Sequence, residues 1–497
     1  MLKHHHDNSA SKIVRNLLLA AGLLTSGVAL ADPGLPASIR KSMKLNGIDA
    51  SELGVAVIAE SDGKVRFSHF PKRPMSPAST MKTLTTIAAL DTLGPDFRWK
   101  TALLAQNLVQ NQAQDGVLKG ALFLRGGAEP NLSWDKLGLM LRALRDKGIS
   151  RIDGDLIVDR SLFNPSRPDQ NVAPFDSTPT QYYNVIPDPM LVNANLIDLN
   201  LTSDESHVTV HFSPPLDGVE IVSQLQTDDE GCTDWDEEWP VPQLVSHDDN
   251  PTVILHGTYP RNCTNQTSTN ILDRNIYIER LIRSLWHELG GQWNGKVRDG
   301  VTPAEARVLV ERVSEPLSDI VKIINKRSDN TMARDLYLTL GVQQGSGDSR
   351  LTSDRSQQAV RGWLQSQHID DTGLVLENGS GLSRIERISP LQLASVLRAA
   401  AASNWSAEFK SSLPIAGVDG TMARRGAAIA PGTARIKGGT LNNTAAIAGY
   451  VSDQQGKHWI IVAMINRPDA AKGRVVLDSL LSWVASHPAK SSQPAFH

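Results

Sequence analysis

Residues 77–83 read Pro77-Ala78-Ser79-Thr80-Met81-Lys82-Thr83, and a run of apolar residues follows them. Met81, Leu84, Ile87, Ala88 and Leu90 recur at helical spacing, and Gly94-Pro95 ends the pattern. A largely buried helix is therefore predicted over Ser79–Leu93. Residues three apart on a helix share one face, so the Lys82 amine is expected beside the Ser79 hydroxyl. A serine is a poor nucleophile until a neighbouring base takes its proton, and a desolvated lysine can do that. The positive end of the helix would favour charge developing near the serine oxygen.

Ser-x-x-Lys alone is a weak signal. It occurs also at Ser9–Lys12, Ser38–Lys41, Ser61–Lys64 and Ser133–Lys136. The first lies in an N-terminal leader pattern, the second precedes any strand that could frame it, and the third falls in a hairpin turn. Ser133 is expected to cap a helix, with Lys136 solvated. Only Ser79 opens a buried helix directly after a proline-rich approach. Two further motifs lie downstream: Ser328-Asp329-Asn330, in a polar break between two helical stretches, and Lys437-Gly438-Gly439-Thr440, on a β run. Tyr182-Tyr183-Asn184 and Ser268-Thr269-Asn270 imitate the second motif but lack its helical frame. His287-Glu288 lacks the second histidine of a zinc-protease helix and is read as a surface pair. Ser380 lacks the pattern of a nucleophile elbow and is read as part of a tight turn.

Working outward, a short helix-like stretch precedes two β runs, Gly54 to Glu60 and Lys64 to Phe70, joined by the hairpin signal Ser61-Asp62-Gly63. From about residue 97 to 302 short strands such as Leu103 to Leu108 and Gly120 to Leu124 alternate with polar turns. Helices are expected there near Leu132 to Lys147 and Ile276 to Leu289. The acidic, aromatic stretch Asp228 to Trp239 reads as a solvated loop. Beyond residue 304 come a strand at Arg307 to Val313 and helices at Leu317 to Lys326 and Thr331 to Leu340. Three β runs follow, at Ala434 to Leu441, Ala445 to Ser452 and Trp459 to Asn466, then a terminal helix at Val475 to Ala485. The last two β runs flank Gln454-Gln455-Gly456 and should pair antiparallel. The tail from Pro488 is expected to be mobile.

A chain of 497 residues exceeds one ordinary core, so several domains are expected. A net charge of −3, with no basic run, argues against nucleic acid as a partner. Lys12 and Arg15 precede an apolar run, Leu17 to Ala31, ending Val28-Ala29-Leu30-Ala31 before Asp32-Pro33. That is a secretory signal with cleavage after Ala31, too short for the ~20 residues of a membrane span. No later run is long enough to span a bilayer, so no transmembrane segment is expected after cleavage. His4, His5 and His6 would leave with the signal, and no metal role is assigned. An oxidising compartment favours a bond between Cys232 and Cys263, the only two cysteines. Such a bridge would stabilise by about 3–4 kcal/mol in the chain-entropy description. The alternative, two free thiols, stays open.

The three motifs, in their order and context, match the Ser-x-x-Lys, Ser-x-Asn and Lys-Thr-Gly set of penicillin-binding proteins and serine β-lactamases, with one departure at Gly438. About half the chain separates Ser79 from Ser328, far more than β-lactamases place there. The sequence thus resembles the D-alanyl-D-alanine carboxypeptidase/endopeptidase family, the class C low-molecular-mass penicillin-binding proteins. Ile324-Asn325-Lys326-Arg327-Ser328-Asp329-Asn330 and Asn378-Gly379-Ser380-Gly381-Leu382-Ser383-Arg384 strengthen the resemblance. It implies an α/β fold with a transpeptidase-like domain, an antiparallel sheet flanked by helices. A large β-rich insertion would form one or two extra domains. The expected division is 1–31 signal, 32–97 first catalytic part, 98–301 insertion and 302–497 second catalytic part.

By the same resemblance Ser79 attacks the carbonyl between two D-alanines of a peptidoglycan stem peptide, forms an acyl-enzyme, and is also acylated by β-lactams. Lys82 is implied as general base, Ser328 and Lys437 as a proton relay, and Asn330 as a holder of the substrate amide. The backbone N–H groups of Ser79 and Thr440 would form an oxyanion hole, with Gly439 beside them; no cofactor is implied. The family usually has Thr where this chain has Gly438, so a hydroxyl that helps bind the substrate carboxylate is missing. Thr440 is the candidate to supply one. A periplasmic location is expected. The rival readings are a β-lactamase or penicillin-recognising esterase, and a non-catalytic wall-binding protein.

Overall fold

The computed structural model describes residues 35–106, 116–233, 235, 239–247, 250–345, 349–425 and 432–486. The expected signal segment, the tail from Pro488 and the last residues of the run Leu103 to Leu108 lie outside them.

A five-stranded antiparallel sheet is assembled from both ends of the chain. Its order is Ala434–Leu441, Thr444–Ser452, His458–Asn466, Leu53–Ala59 and Val65–His69. The central strands are apolar at nearly every position because both faces are covered, where a half-exposed strand would alternate. Period-two geometry sends Val55, Val57, Ile461, Ala463 and Ile465 to one face. There they meet the first helix, Ala37–Leu45, and the last, Arg474–Ser486. Ala56, Ile58, Ile460, Val462 and Met464 face the other way, into a larger core. Helices Lys82–Leu93, Leu317–Arg327, Asn330–Val342, Thr352–Ser366 and Pro390–Ala402 supply that core. The result is a helix–sheet–helix sandwich.

The expected helix Ser79–Leu93 does not begin as an α-helix. Residues Ala78–Met81 form one 3-10 turn, and the α-helix runs from Lys82 to Leu93 with Gly94 as its cap. Ala78, just before the serine, has φ 45°, a left-handed conformation that costs a non-glycine residue energy. In a 3-10 turn residues i and i+3 eclipse, so the serine–lysine juxtaposition survives the change of helix type.

The region after Phe97 has a core of its own. Its main sheet runs Val297–Asp299, Leu156–Asp159, Leu122–Arg125, Lys100–Ala105, Arg307–Val313. The first three strands are parallel and the last two pairings antiparallel. Helices Trp134–Asp146 and Arg274–Glu288 pack into the same core. Two three-stranded sheets, centred on Ile197–Ser203 and Asn250–Pro260, complete it, with a small sheet of two-residue strands.

Two expectations change here. Arg307–Val313, expected within the part 302–497, pairs with Lys100–Ala105 and so completes the main sheet of this second core. Strand pairing across two hundred residues leaves no local mark in the sequence. The stretch ending at Trp239 is not simply a solvated loop. Trp239 is buried, with Trp235 5.2 Å away and Tyr259 5.0 Å beyond it, in edge-to-face contacts. Aromatic rings bury large areas and pull such a segment onto the core. Cys232 and Cys263 are joined, with Cα atoms 5.7 Å apart, which pins this segment to the end of the neighbouring strand.

Candidate active site

Three elements converge on Ser79. The first is its own turn. Lys82 Nζ lies 3.0 Å from Ser79 Oγ, and the Lys82 side chain is fully buried. The same nitrogen donates to Asn330 Oδ1 at 2.6 Å and to the Ser380 carbonyl at 2.6 Å. Burial, then the positive charge of Lys437, holds the Lys82 amine well below the ordinary lysine range. A neutral amine has two N–H bonds and one lone pair. Its two short contacts go to groups that only accept, Asn330 Oδ1 and a carbonyl, so they take both N–H bonds. In that neutral form the lone pair would face the Ser79 hydroxyl, 3.0 Å away. This is the arrangement a general base requires.

The second element is the break between helices Leu317–Arg327 and Asn330–Val342. Ser328 ends the first helix in the left-handed conformation, φ 61°. Asp329 caps the second, its carboxylate accepting from the Met332 N–H at 2.8 Å. The sharp reversal lets Ser328 and Asn330, two residues apart, both face the cleft. Asn330 Nδ2 donates to the Tyr183 carbonyl at 3.1 Å, which sets its amide so that Oδ1 meets Lys82. Asp176 holds that tyrosine turn by accepting from Tyr183 Oη at 3.1 Å and Asn184 Nδ2 at 2.8 Å.

The third element is the strand Ala434–Leu441, at the edge of the sheet. Its outer edge is covered only at first: Ala434 O accepts from the Ala416 N–H, and the Ile436 N–H donates to Pro414 O. By period two, the backbone of Gly438 and Thr440 points to the same edge, where the cleft begins. Lys437 is fully buried and donates to Ser328 Oγ at 2.8 Å and to Gly438 O at 2.8 Å. Burial brings its amine down to about 7. Gly439 lies against the nucleophile turn: a Cβ there would be 2.8 Å from the Ser79 nitrogen and 3.0 Å from Ala78 Cβ. The edge strand and the Ser79 backbone are thus in close contact at Gly439.

Ser79, Lys82, Ser328, Asn330, Lys437 and Gly439, expected from sequence, are therefore brought together, with Thr440 next along the strand and its hydroxyl bonded to Arg474. Cys232 and Cys263 are bonded to each other, with Cys263 in the second core. Ser133 begins its helix without a side-chain cap, and Lys136 is not solvated but ion-paired with Glu315 at 2.9 Å. His287 and Glu288 are exposed. Ser268 donates to Asp198 within its own sheet.

Sequence reasoning missed two groups. Ser380 contributes its carbonyl rather than its hydroxyl, which donates to Asn378 Oδ1 at 2.7 Å. Tyr183, set aside as a decoy, contributes a carbonyl too. Backbone acceptors carry no residue-type signature. Behind Ser380 the buried Glu386 accepts the N–H groups of Glu377, Asn378 and Gly379 at 3.1, 3.0 and 2.9 Å. Among the described residues no cluster of His, Cys, Asp and Glu is placed to hold a metal ion.

A family model described as D-Ala-D-Ala carboxypeptidase 3 (S13) matches residues 35–487. The chain is 29% identical over 399 residues to D-alanyl-D-alanine carboxypeptidase DacB of Haemophilus influenzae, covering 79% of this chain and 80% of that one. It is 28% identical over 476 residues to the D-alanyl-D-alanine carboxypeptidase of Actinomadura sp. (strain R39), covering 90% and 85%. The crystal structure of penicillin binding protein 4 (dacB) from Haemophilus influenzae superposes with a TM-score of 0.72 at 25% identity, covering 90% of this chain and 99% of that one.

Proposed function

The chain belongs to the D-Ala-D-Ala carboxypeptidase 3 (S13) family, and from that premise we propose how its own residues carry out serine DD-peptidase chemistry. Ser79 is the nucleophile. The observation that carries this assignment is the Lys82 amine, buried and depressed, held by two acceptors with its remaining position on Ser79 Oγ.

Lys82 takes the Ser79 proton as the oxygen attacks the carbonyl between two D-alanines. The tetrahedral oxyanion sits between the Ser79 and Thr440 N–H groups; removing one such donor costs about 3–4 kcal/mol of transition-state stabilisation. Collapse expels the D-alanine amine, which must leave protonated. Ser328 Oγ, in contact with Lys437, hands it a proton and recovers one from the lysine pair. The proton Lys82 took from Ser79 thus ends on the leaving amine, and Lys82 is free to pass a proton from water to Ser79 in the next step. Water then attacks the acyl-enzyme, releasing the shortened peptide and restoring Ser79. Asn330 meets the substrate's backbone amide with the part of its side chain not engaged by Lys82 and Tyr183.

β-Lactams present a strained amide to the same serine and acylate it. A related penicillin binding protein 4 structure from Haemophilus influenzae is described as complexed with a novel β-lactam, which supports this reading. The substrate is a peptidoglycan stem peptide. We place the chain in the periplasm, delivered by its first 31 residues; no helix among the described residues is long and apolar enough to cross a membrane. The domain division proposed is a catalytic unit in two parts, up to about residue 98 and from about 314, with the separate core between them as the insertion.

Fluorescent penicillin labelling of the wild type and of Ser79→Ala, followed by D-alanine release from a pentapeptide muropeptide, tests the assignment. The wild type should label stably and release D-alanine, and the variant should do neither. Labelling that survives Ser79→Ala would remove Ser79 as nucleophile. Rapid drug turnover without D-alanine release would mean a β-lactamase.

A further inference from the structure

Gly438 stands where a hydroxyl residue would help hold the substrate's carboxylate, and sterics do not force the glycine there. A Cβ on Gly438 would meet nothing nearer than Arg425 Nη1 at 3.4 Å and Met422 Sδ at 3.8 Å, ordinary contacts. Gly439, by contrast, has no room for one. Side chains alternate along the strand, so positions 438 and 440 share the face turned away from the Ser79 turn. Two guanidinium groups stand on that face. Arg425 is neutralised by Asp478 at 2.8 Å. Arg474 is not: it is exposed, its Nη2 donates to Thr440 Oγ1 at 3.2 Å, and no carboxylate pairs with it among the described residues.

Arg474 is also in an electrostatically unfavourable place. It opens helix Arg474–Ser486 directly after the 3-10 turn Ala470–Gly473, near the positive end of the helix dipole. Its contact with a neutral hydroxyl does not offset that. A guanidinium without an anion, fixed beside the residue whose N–H is proposed to hold the scissile oxygen, is suited to a substrate anion.

We propose that Arg474, with the Thr440 hydroxyl, binds the free α-carboxylate of the leaving D-amino acid and so replaces the hydroxyl that Gly438 lacks. This rests on the reading of Ser79 and Thr440 above. In a D-alanyl-D-alanine end, two atoms separate the scissile carbonyl carbon from the carboxylate carbon, a span of roughly 4 Å. With the scissile oxygen at the Thr440 N–H, the carboxylate lies beside the Thr440 side chain. Arg474 is thus a specificity-determining residue: it selects substrates whose leaving group carries a free carboxylate next to the departing amine.

The test compares kcat/KM on an acylated tripeptide ending in D-Ala-D-Ala with that on its C-terminal amide, for wild type, Arg474→Ala and Arg474→Lys. Benzylpenicillin acylation of Ser79 is followed by mass in parallel. Arg474→Ala should lose about tenfold or more on the acid, mainly through KM, and far less on the amide, so that the acid-to-amide ratio collapses. Arg474→Lys, which keeps the charge but not the fork, should recover part of the ratio. Equal loss on both substrates, or an unchanged ratio, overturns the proposal while acylation at Ser79 leaves the reading of the nucleophile standing. A wild type that is not acylated at Ser79 overturns both.

Discussion

Lys82 donates through Nζ to the carbonyl oxygen of Ser380 at 2.6 Å, across 298 positions of sequence. That contact and its twin to Asn330 orient the amine beside Ser79 Oγ, the proposed nucleophile. The loop carrying Ser380 is held in turn by one carboxylate. Glu386 is buried, and its Oε1 accepts three successive backbone N–H groups. Burial raises its pKa, while those hydrogen bonds oppose the rise.

Glu386→Ala is therefore expected to strand three N–H groups and move Ser380. Stability should fall by about 1–3 kcal/mol per unsatisfied buried group, and acylation of Ser79 by penicillin should slow by about 10²-fold. Glu386→Gln, which keeps one acceptor oxygen, should be affected less on both counts. Thermal melting and stopped-flow acylation measure the two effects; a variant that melts lower but acylates at the wild-type rate would separate the loop from the chemistry.

Lys437 lies within electrostatic reach of Lys82 and lowers its pKa. Removing that charge in Lys437→Met should let the Lys82 amine regain protons at higher pH. Base catalysis is lost as pH falls through the Lys82 pKa, so the acid limb of the acylation rate should move to higher pH. A pH–rate profile of the residual acylation in the variant reads the shift, and a limb that stays put or moves down would contradict it.

The same substitution should stabilise the fold. Folding lowers the Lys437 pKa from about 10.5 to about 7, so the unfolded chain binds more protons between those values and stability rises with pH there. The burden on the native state is fullest below about pH 7 and fades as pH approaches the ordinary lysine range. Lys437→Met should thus raise the denaturation midpoint most at and below neutrality, by a few kcal/mol, with a gain that shrinks above pH 7. A gain that grows with pH would contradict the burial argument.

Adjacent glycines should behave oppositely. Gly439→Ala would push a methyl to within 2.8 Å of the Ser79 nitrogen. It is expected to displace the nucleophile turn and cut acylation by about 10²-fold or more. Gly438→Ala, with its nearest contact at 3.4 Å, should acylate within a few-fold of the wild type. Parallel penicillin-labelling rates decide it, and similar losses in both would contradict the packing described.

Cys232 and Cys263 close a loop of sequence separation 31 against the second core. Replacing both by serine should cost that region about 2–5 kcal/mol. Melting followed under oxidising and reducing conditions should show the wild type losing the same increment on reduction, with the double variant indifferent to it.

Much of this site was legible along the chain, because its chemistry is partly local. The Ser79–Lys82 spacing brings hydroxyl and amine together in either an α or a 3-10 turn. Ser328 to Asn330 read as a polar break between helices, and Lys437 to Thr440 as a β run, because periodicity marks such elements. The terminal runs Ala434 to Leu441, Ala445 to Ser452 and Trp459 to Asn466 likewise read as strands, and the turn between the last two marked them as an antiparallel pair. Tertiary structure alone decided the rest. The Ser380 and Tyr183 carbonyls that orient Lys82 and Asn330 are groups every residue has, and only the path of the chain selects them. Arg307–Val313 joined the inserted sheet because strand partners are chosen by distant backbone. Arg474 and Thr440 lie 34 residues apart, and only the placement of the last helix on the sheet sets the guanidinium against the Thr440 hydroxyl.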